Sequence, residues 1–273
     1  MRIDCIVDNT VSRQSSFWGE HGLAFFIEQD EKRFLFDTGG SGEVLSHNLK
    51  QAGIAPDSLA LAALSHNHRD HTGGLEWLLE AANGIPVYVH PEALQPHFSD
   101  RTGMMLEKGI PFDVGNLDPA QWHLNEAAVE ILPGVFLSGE IQPRPHPEGR
   151  SPHHFIKGES GFVPDPYRDD QSLVMESSKG PILICGCCHT GLLNTLDWVE
   201  ARFGQPPRAI LGGLHLASAG QEQVEALVDA LRSRGAPHLY PNHCTGETAL
   251  MMLMQAFPDR VQPFSAGNSL ILE

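Results

Sequence analysis

The chain has 273 residues, with 34 Asp and Glu against 18 Lys and Arg, a formal net charge of −16. A surface this acidic repels a polyphosphate backbone and argues against nucleic acid as a partner, although bound cations would still admit a small anionic substrate. No apolar run reaches the roughly eighteen residues of a membrane span, and the strand-like N-terminus carries Asp4 where a secretory signal would be apolar. Five cysteines (Cys5, Cys185, Cys187, Cys188, Cys244) lack the spacing of a disulfide framework. The expectation is a cytoplasmic protein with reduced thiols and no membrane partner, folded as a single domain over 1–273.

Ile3, Cys5 and Val7 alternate, as do Leu23, Phe25 and Ile27, which predicts strands over 2–8 and 23–29. The polar loop between them ends in Glu20-His21-Gly22, where His21 reads equally as a substrate contact or a solvated loop residue. A third strand over 33–36 runs into Asp37-Thr38-Gly39-Gly40. A carboxylate at such a turn orders its neighbours by accepting backbone N–H bonds, so Asp37 reads as a support for ligands, not as a ligand. A helix over 42–52 carries Val44, Leu45, Leu49 and Ala52 on one face and stops at Gly53.

The stretch 61–73, LAALSHNHRDHTG, holds the densest chemistry. Leu61 to Leu64 read as a short buried strand, and a helix begins near Gly73 with Leu75, Leu78 and Leu79. Between them lie His66, His68, Asp70 and His71. Imidazoles and carboxylates are the usual ligands of zinc and similar divalent ions. His66 and His68, one residue apart, share a side of an extended segment, whereas Asp70 and His71 follow the bend and can face a second ion.

A strand over 85–90 comes next, then a Gly- and Pro-punctuated excursion at 98–120 that reads as a candidate lid. A strand over 131–141 ends in Ser138-Gly139-Glu140, where Glu140 reads as a metal ligand, a substrate contact or a plain exposed carboxylate. The segment 143–166, with His146, His153 and His154, is too rich in proline for regular structure and reads as a specificity loop. The strands 172–175 and 181–185 form a hairpin, and the second ends in Gly186-Cys187-Cys188-His189-Thr190-Gly191. His189, at a strand end before a helix, repeats the placement of the first motif and reads as a metal ligand. Cys187 and Cys188 read as small buried residues outside the ligand set.

A strand over 209–215 leads to His215, which reads as a ligand, a proton donor or a core histidine. A helix over 220–234 buries Val224, Leu227, Val228 and Leu231. Asn242-His243-Cys244-Thr245-Gly246 then precedes a helix whose methionine stripe reads as core packing, and a strand over 269–272 closes the chain.

His66, His68, Asp70 and His71 with Thr72-Gly73-Gly74, and Phe34-Leu35-Phe36-Asp37-Thr38-Gly39 upstream, resemble the signature of the metallo-β-lactamase superfamily. The motifs at 186–191, 212–216 and 242–246, with Asp8-Asn9-Thr10 and Glu20-His21-Gly22, resemble its dihydropterin-ribofuranosylaminobenzene-phosphate synthase-like branch over nearly the whole chain. The resemblance implies an α/β fold, an αββα sandwich of two mixed sheets covered by helices with metals at one sheet edge. It implies two divalent ions, zinc first and manganese or iron as alternatives, one held by His66, His68 and His189 and the other by Asp70, His71 and His243. A water shared by the ions would fall in pKa towards about 7, oriented by Asp70, while His215 protonates a leaving group. His243 falls where the superfamily's last metal-binding histidine is expected. One departure is that many members bridge the ions with an Asp, where this chain offers His189 or a cysteine. The activity implied is hydrolysis, or a related phospho-transforming reaction, on a small substrate that is phosphorylated or pterin-like. An iron-dependent redox enzyme and a non-catalytic, metal-stabilised binding protein are the other readings, and no signal of oligomeric state is present.

Overall fold

A computed structural model describes residues 1–116 and 121–273, so positions 117–120 of the expected lid lie outside the described residues. The chain gathers into two compact units, one of 1–126, 150–169 and 265–272 and the other of 127–149, 170–264 and 273.

The first unit contains β1 (Arg2–Val7), β2 (Ala24–Gln29), β3 (Lys32–Phe36), β4 (Leu61–Ala63), β5 (Val87–Val89), β6 (His97–Ser99), β7 (Leu106–Glu107) and β8 (Trp122–Leu124). Its helices are α1 (Gly42–Gln51), the single turn α2 (Arg69–Thr72) and α3 (Leu75–Ala81). The second unit begins with β9 (Val129–Leu132) and β10 (Val135–Leu137). The chain returns to the first unit for β11 (His154–Gly158) and β12 (Gly161–Pro164). It then completes the second with β13 (Leu173–Met175), β14 (Ile182–Cys185), α4 (Leu192–Phe203), β15 (Ala209–Gly213), α5 (Gln221–Ser233), β16 (His238–Asn242) and α6 (Glu247–Ala256). The last strand, β17 (Ser269–Ile271), pairs with β1.

The large sheet of the first unit runs β17-β1-β2-β3-β4-β5-β8, antiparallel up to β3 and parallel from β3 to β8. Ser41 starts α1 by accepting from the Val44 amide, and Glu20 accepts from the Gly40 and Ser41 amides and the Ser41 hydroxyl. Leu45 and Leu49 of α1 then pack with Ile6, Phe26, Leu35, Ala62 and Leu78. Each of these leucines contributes about 1.5–3 kcal/mol by leaving water. The pairing Phe36↔Ala63 makes β3 and β4 end together. That register sets Asp37 beside the loop that opens after Leu64.

The second unit's sheet runs β16-β15-β14-β13-β10-β9, with β14, β15 and β16 parallel. Its strands meet the helices in one core of Leu183, Ile210, Leu239, Leu196, Val199, Val224, Leu227, Leu231 and Leu253. Here the helical spacing read from 220–234 matches the buried face of α5.

Three expectations are corrected. The segment 143–166 contains the β11–β12 hairpin, paired from Phe155↔Pro164 to Gly158↔Gly161. Its prolines fall outside the strands or at their last residue, and Gly161 at φ +130° closes a two-residue turn. The single strand over 131–141 is instead the β9–β10 hairpin, broken by Pro133-Gly134 with Gly134 at φ +72°. The methionine stripe is core only in part: α6 buries Ala249 and Leu253 and packs a half-buried Met252 against the same core, whereas Met251 and Met254 are 70% and 41% exposed. Hydrophobicity alone does not say which side of a helix meets the sheet, and the i, i+4 pair wins.

Candidate metal centre

In the first unit, Asp37 is the organising residue. It is wholly buried at φ +62°, a left-handed conformation that strains a residue with a Cβ. One carboxylate oxygen accepts the Ser65 amide at 2.7 Å; the other accepts the Ser65 hydroxyl at 2.7 Å and His71 Nδ1 at 2.7 Å. The Ser65 hydroxyl also lies 2.8 Å from His66 Nδ1. Since its one proton goes to Asp37, it receives the Nδ1–H of His66. His66 and His71 are therefore both held as the tautomer whose lone pair is on Nε2.

His66 Nε2 lies 3.0 Å from His68 Nδ1, and both rings are buried. Two nitrogens on one tetrahedral zinc are about 3.3 Å apart for Zn–N bonds of about 2.0–2.1 Å. The tautomer, burial and spacing fit a divalent ion. Asp70 is 20% exposed, with Oδ2 3.2 Å from His21 Nε2 and 3.9 Å from His71 Nε2. His21, 72% exposed, thus reaches the Asp70 carboxylate. The loop is tied down by backbone bonds from Leu23 to Asp70, Thr38 to His71 and Gly73 to Gly39.

Sequence reasoning missed the neighbours of His68. The His154 ring meets it edge-on at 4.7 Å, with Nδ1 2.6 Å from the Tyr167 hydroxyl and Nε2 2.8 Å from Lys108 Nζ. His154 falls in the segment whose proline content argues against regular structure, and β11 is what fixes it. A further buried cluster sets His97 Nδ1 2.7 Å from Asp165, with Asp169 close by. Burial would lower the His97 pKa, but the Asp165 hydrogen bond and the charges of Asp169 and Asp165 outweigh it and push it up to about 9.

In the second unit, the parallel strands β14, β15 and β16 end side by side, and His189, His215 and His243 follow them by four, two and one residues respectively. His189 is buried, and its Nδ1–H donates to the Gly149 carbonyl at 2.8 Å, which again leaves the lone pair on Nε2. Its loop is anchored by the fully buried Asp170, which accepts the Thr190 amide at 2.7 Å. Burial pushes the Asp170 carboxyl up, against the pull of that amide. His215, at φ +47°, packs its ring 4.3 Å from that of His189; His243 sits at φ +48° and is half-buried.

Cys187, His215 and Cys244 each bring a ligand atom within 4.8 Å of the others. Burial raises the Cys244 thiol, but hydrogen bonds with Cys187 and His215 outweigh it and hold the group well below the usual thiol range. Cys188, by contrast, is pushed well above that range by its hydrogen bond with Cys185 and by burial. Cys187 therefore joins a donor set that its sequence context did not assign, and Cys188 remains a buried thiol. Glu140 accepts from Gln142 at 3.0 Å and belongs to none of the convergent donor groups among the described residues.

An α/β chain that ends its parallel strands in imidazoles, carboxylates and thiols of ligating geometry is of a metal-binding class. The chain belongs to the metallo-β-lactamase superfamily, which it matches over residues 18–186, and it carries that fold. It is 31% identical to the 7,8-dihydropterin-6-methyl-4-(β-D-ribofuranosyl)-aminobenzene-5′-phosphate synthase of Methanocaldococcus jannaschii, over 98% of this chain and 95% of that one. Among solved structures it is similar to a metal-dependent hydrolase of the β-lactamase superfamily, with a TM-score of 0.86 and 28% identity, covering 100% of this chain and 99% of the other. Zn2+-bound PqqB from Methylobacterium extorquens shares the fold alone, with a TM-score of 0.59 and 12% identity over the full length of both chains. No helix among the described residues is long and apolar enough to cross a membrane.

Proposed function

We propose that this chain is a metal-dependent hydrolase, or a related phospho-transforming enzyme, for a small pterin-like or phosphorylated substrate, with His66, His68, Asp70, His71, His189 and His243 as its metal ligands. The observation that carries the reading is the convergence of His66 Nε2 and His68 Nδ1 at 3.0 Å, with the outer nitrogen of His66 tied through Ser65 to Asp37. Divalent ions held there would supply a Lewis acid and lower the pKa of a bound water towards neutrality. Asp37 keeps the lone pairs of His66 and His71 on Nε2. Asp70 would serve as a ligand and orient the attacking water, and His21, 3.2 Å from Oδ2, holds that carboxylate in place. His215 donates the proton that the leaving group takes up, a task suited to an imidazole near neutral pH. The kinship with the synthase supports the choice of substrate class.

The test is elemental analysis of untagged protein purified without chelators, followed by a screen of phosphate esters and lactones. About two zinc or manganese ions per chain with turnover support the proposal. About one iron, with a colour that bleaches on reduction, overturns it in favour of redox chemistry. Tight ligand binding without turnover overturns it in favour of a binding protein.

A further inference from the structure

Within the second unit, a cavity of about 310 Å³ opens at the carboxyl ends of β14 and β15. That edge of a parallel sheet, outside the strand ends, is where α/β proteins bind small ligands. Leu192 and Leu193 at the start of α4, Leu214 and Leu216 around His215, and Ala226 and Leu227 of α5 supply the apolar walls. Glu222 brings a carboxylate to the lining, and no Lys or Arg is among its lining residues. His215 presents the imidazole.

The wall on the His215 side is built in advance. Gly149 and His189 exchange backbone and ring hydrogen bonds: the Gly149 amide donates to the His189 carbonyl at 2.9 Å, and His189 Nδ1 donates to the Gly149 carbonyl at 2.8 Å. A Cβ on Gly149 would come 2.8 Å from the Cβ of His215, so glycine is what lets this segment lie against the ring. Gly191, at φ +90°, leaves the space that the Pro147 carbonyl occupies.

We propose that this cavity binds a neutral aryl group of one or two fused rings and presents it to His215, as the apolar part of the substrate of the reaction proposed above, on which this inference rests. An apolar cavity of about 150 Å³ accommodates benzene; 310 Å³ is about twice that, room for a bicycle. Leucine walls reward apolar surface at about 25 cal/mol per Å². Glu222 and the lack of lining cations disfavour an anionic group inside, so a phosphate on the same substrate lies outside this cavity.

The test is isothermal titration with 2-naphthol, a neutral bicyclic probe, alongside the metal analysis. Ala226 and Gln223 are exposed positions of α5, so Ala226→Trp and Gln223→Trp fill the cavity without touching the core. The expected result is saturable binding of one 2-naphthol by the wild type, weakened about tenfold or more in Ala226→Trp. Gln223→Trp should weaken it in the same direction, and His66→Ala, which removes a proposed ligand, should leave it intact. Absence of saturable binding, or unchanged affinity in both tryptophan variants, overturns the inference even where metal and turnover are found. Binding that persists in a protein without metal or turnover supports the cavity while overturning the proposed function.

Discussion

Asp37→Asn is the sharpest perturbation available, because it changes protons and almost nothing else. The carboxylate accepts three hydrogen bonds, from the Ser65 amide, the Ser65 hydroxyl and His71 Nδ1. An asparagine has one accepting oxygen. If that oxygen keeps the Ser65 amide, the new NH2 donates to the hydroxyl and to His71. Ser65 must then give its proton to His66, and both imidazoles move their protons to Nε2, where the metal should bind. If the oxygen turns to the other side, the NH2 faces the buried Ser65 amide and an unpaired donor costs about 1–3 kcal/mol. Losing the support behind one ligating histidine lowers metal affinity about 10–100-fold. With two histidines affected the expected loss is about 10²–10⁴-fold, or about 3–5 kcal/mol. The assay is zinc content after equilibration at buffered free zinc, with far-UV circular dichroism and urea midpoints to verify folding. A folded Asp37→Asn protein that keeps wild-type zinc affinity would refute the tautomer argument.

Other outcomes follow from the same geometry. His97 has its folded pKa raised to about 9, above the unfolded value, so its contribution is fully present below about pH 6.5 and disappears as pH rises through about 9. A shift of that size corresponds to about 3 kcal/mol; urea midpoints should fall across that window, and His97→Gln should flatten the fall. Gly73→Ala drives a Cβ into the Gly40 carbonyl, backbone against backbone, and should destabilise by about 3 kcal/mol or more. Gly53→Ala, with φ +70° but nothing within 4 Å, should cost only about 1 kcal/mol, a comparison made by thermal melts. Leu196→Ala empties a fully buried position among α4, β14 and β15, and should lower stability by about 2–5 kcal/mol in urea titration.

The sequence was legible where a short stretch carries its own geometry. The strand of Leu61 to Leu64 and the histidines after it needed nothing distant, and neither did the leucines of α5. Asp37 was recognisable as a support, but its three partners depend on the register of β3 against β4, which pairs residues far apart in the chain. His154 and Tyr167 were hidden because proline content outweighed the alternation of Phe155, Lys157, Phe162 and Pro164 around a glycine turn. Cys187 looked structural by spacing, since the approach of Cys244 requires β14 and β16 to flank β15. The exposed methionines of α6 show the limit of composition: apolar character predicts a preference for burial, and the neighbouring elements decide which side receives it.

The alignment of β14, β15 and β16 has a consequence for how this chain can be lengthened. Parallel partners Cys185↔Gly212 and Gly213↔Asn242 fix the ends of three strands against one another. Residues added at the far end, in the turns 204–208 and 234–237 that lead into β15 and β16, leave that alignment untouched. A single residue added inside a strand turns every later side chain to the opposite face and displaces the histidine beyond it. Tolerance to insertion should therefore divide by side of the sheet: permissive where the strands begin, closed where they end.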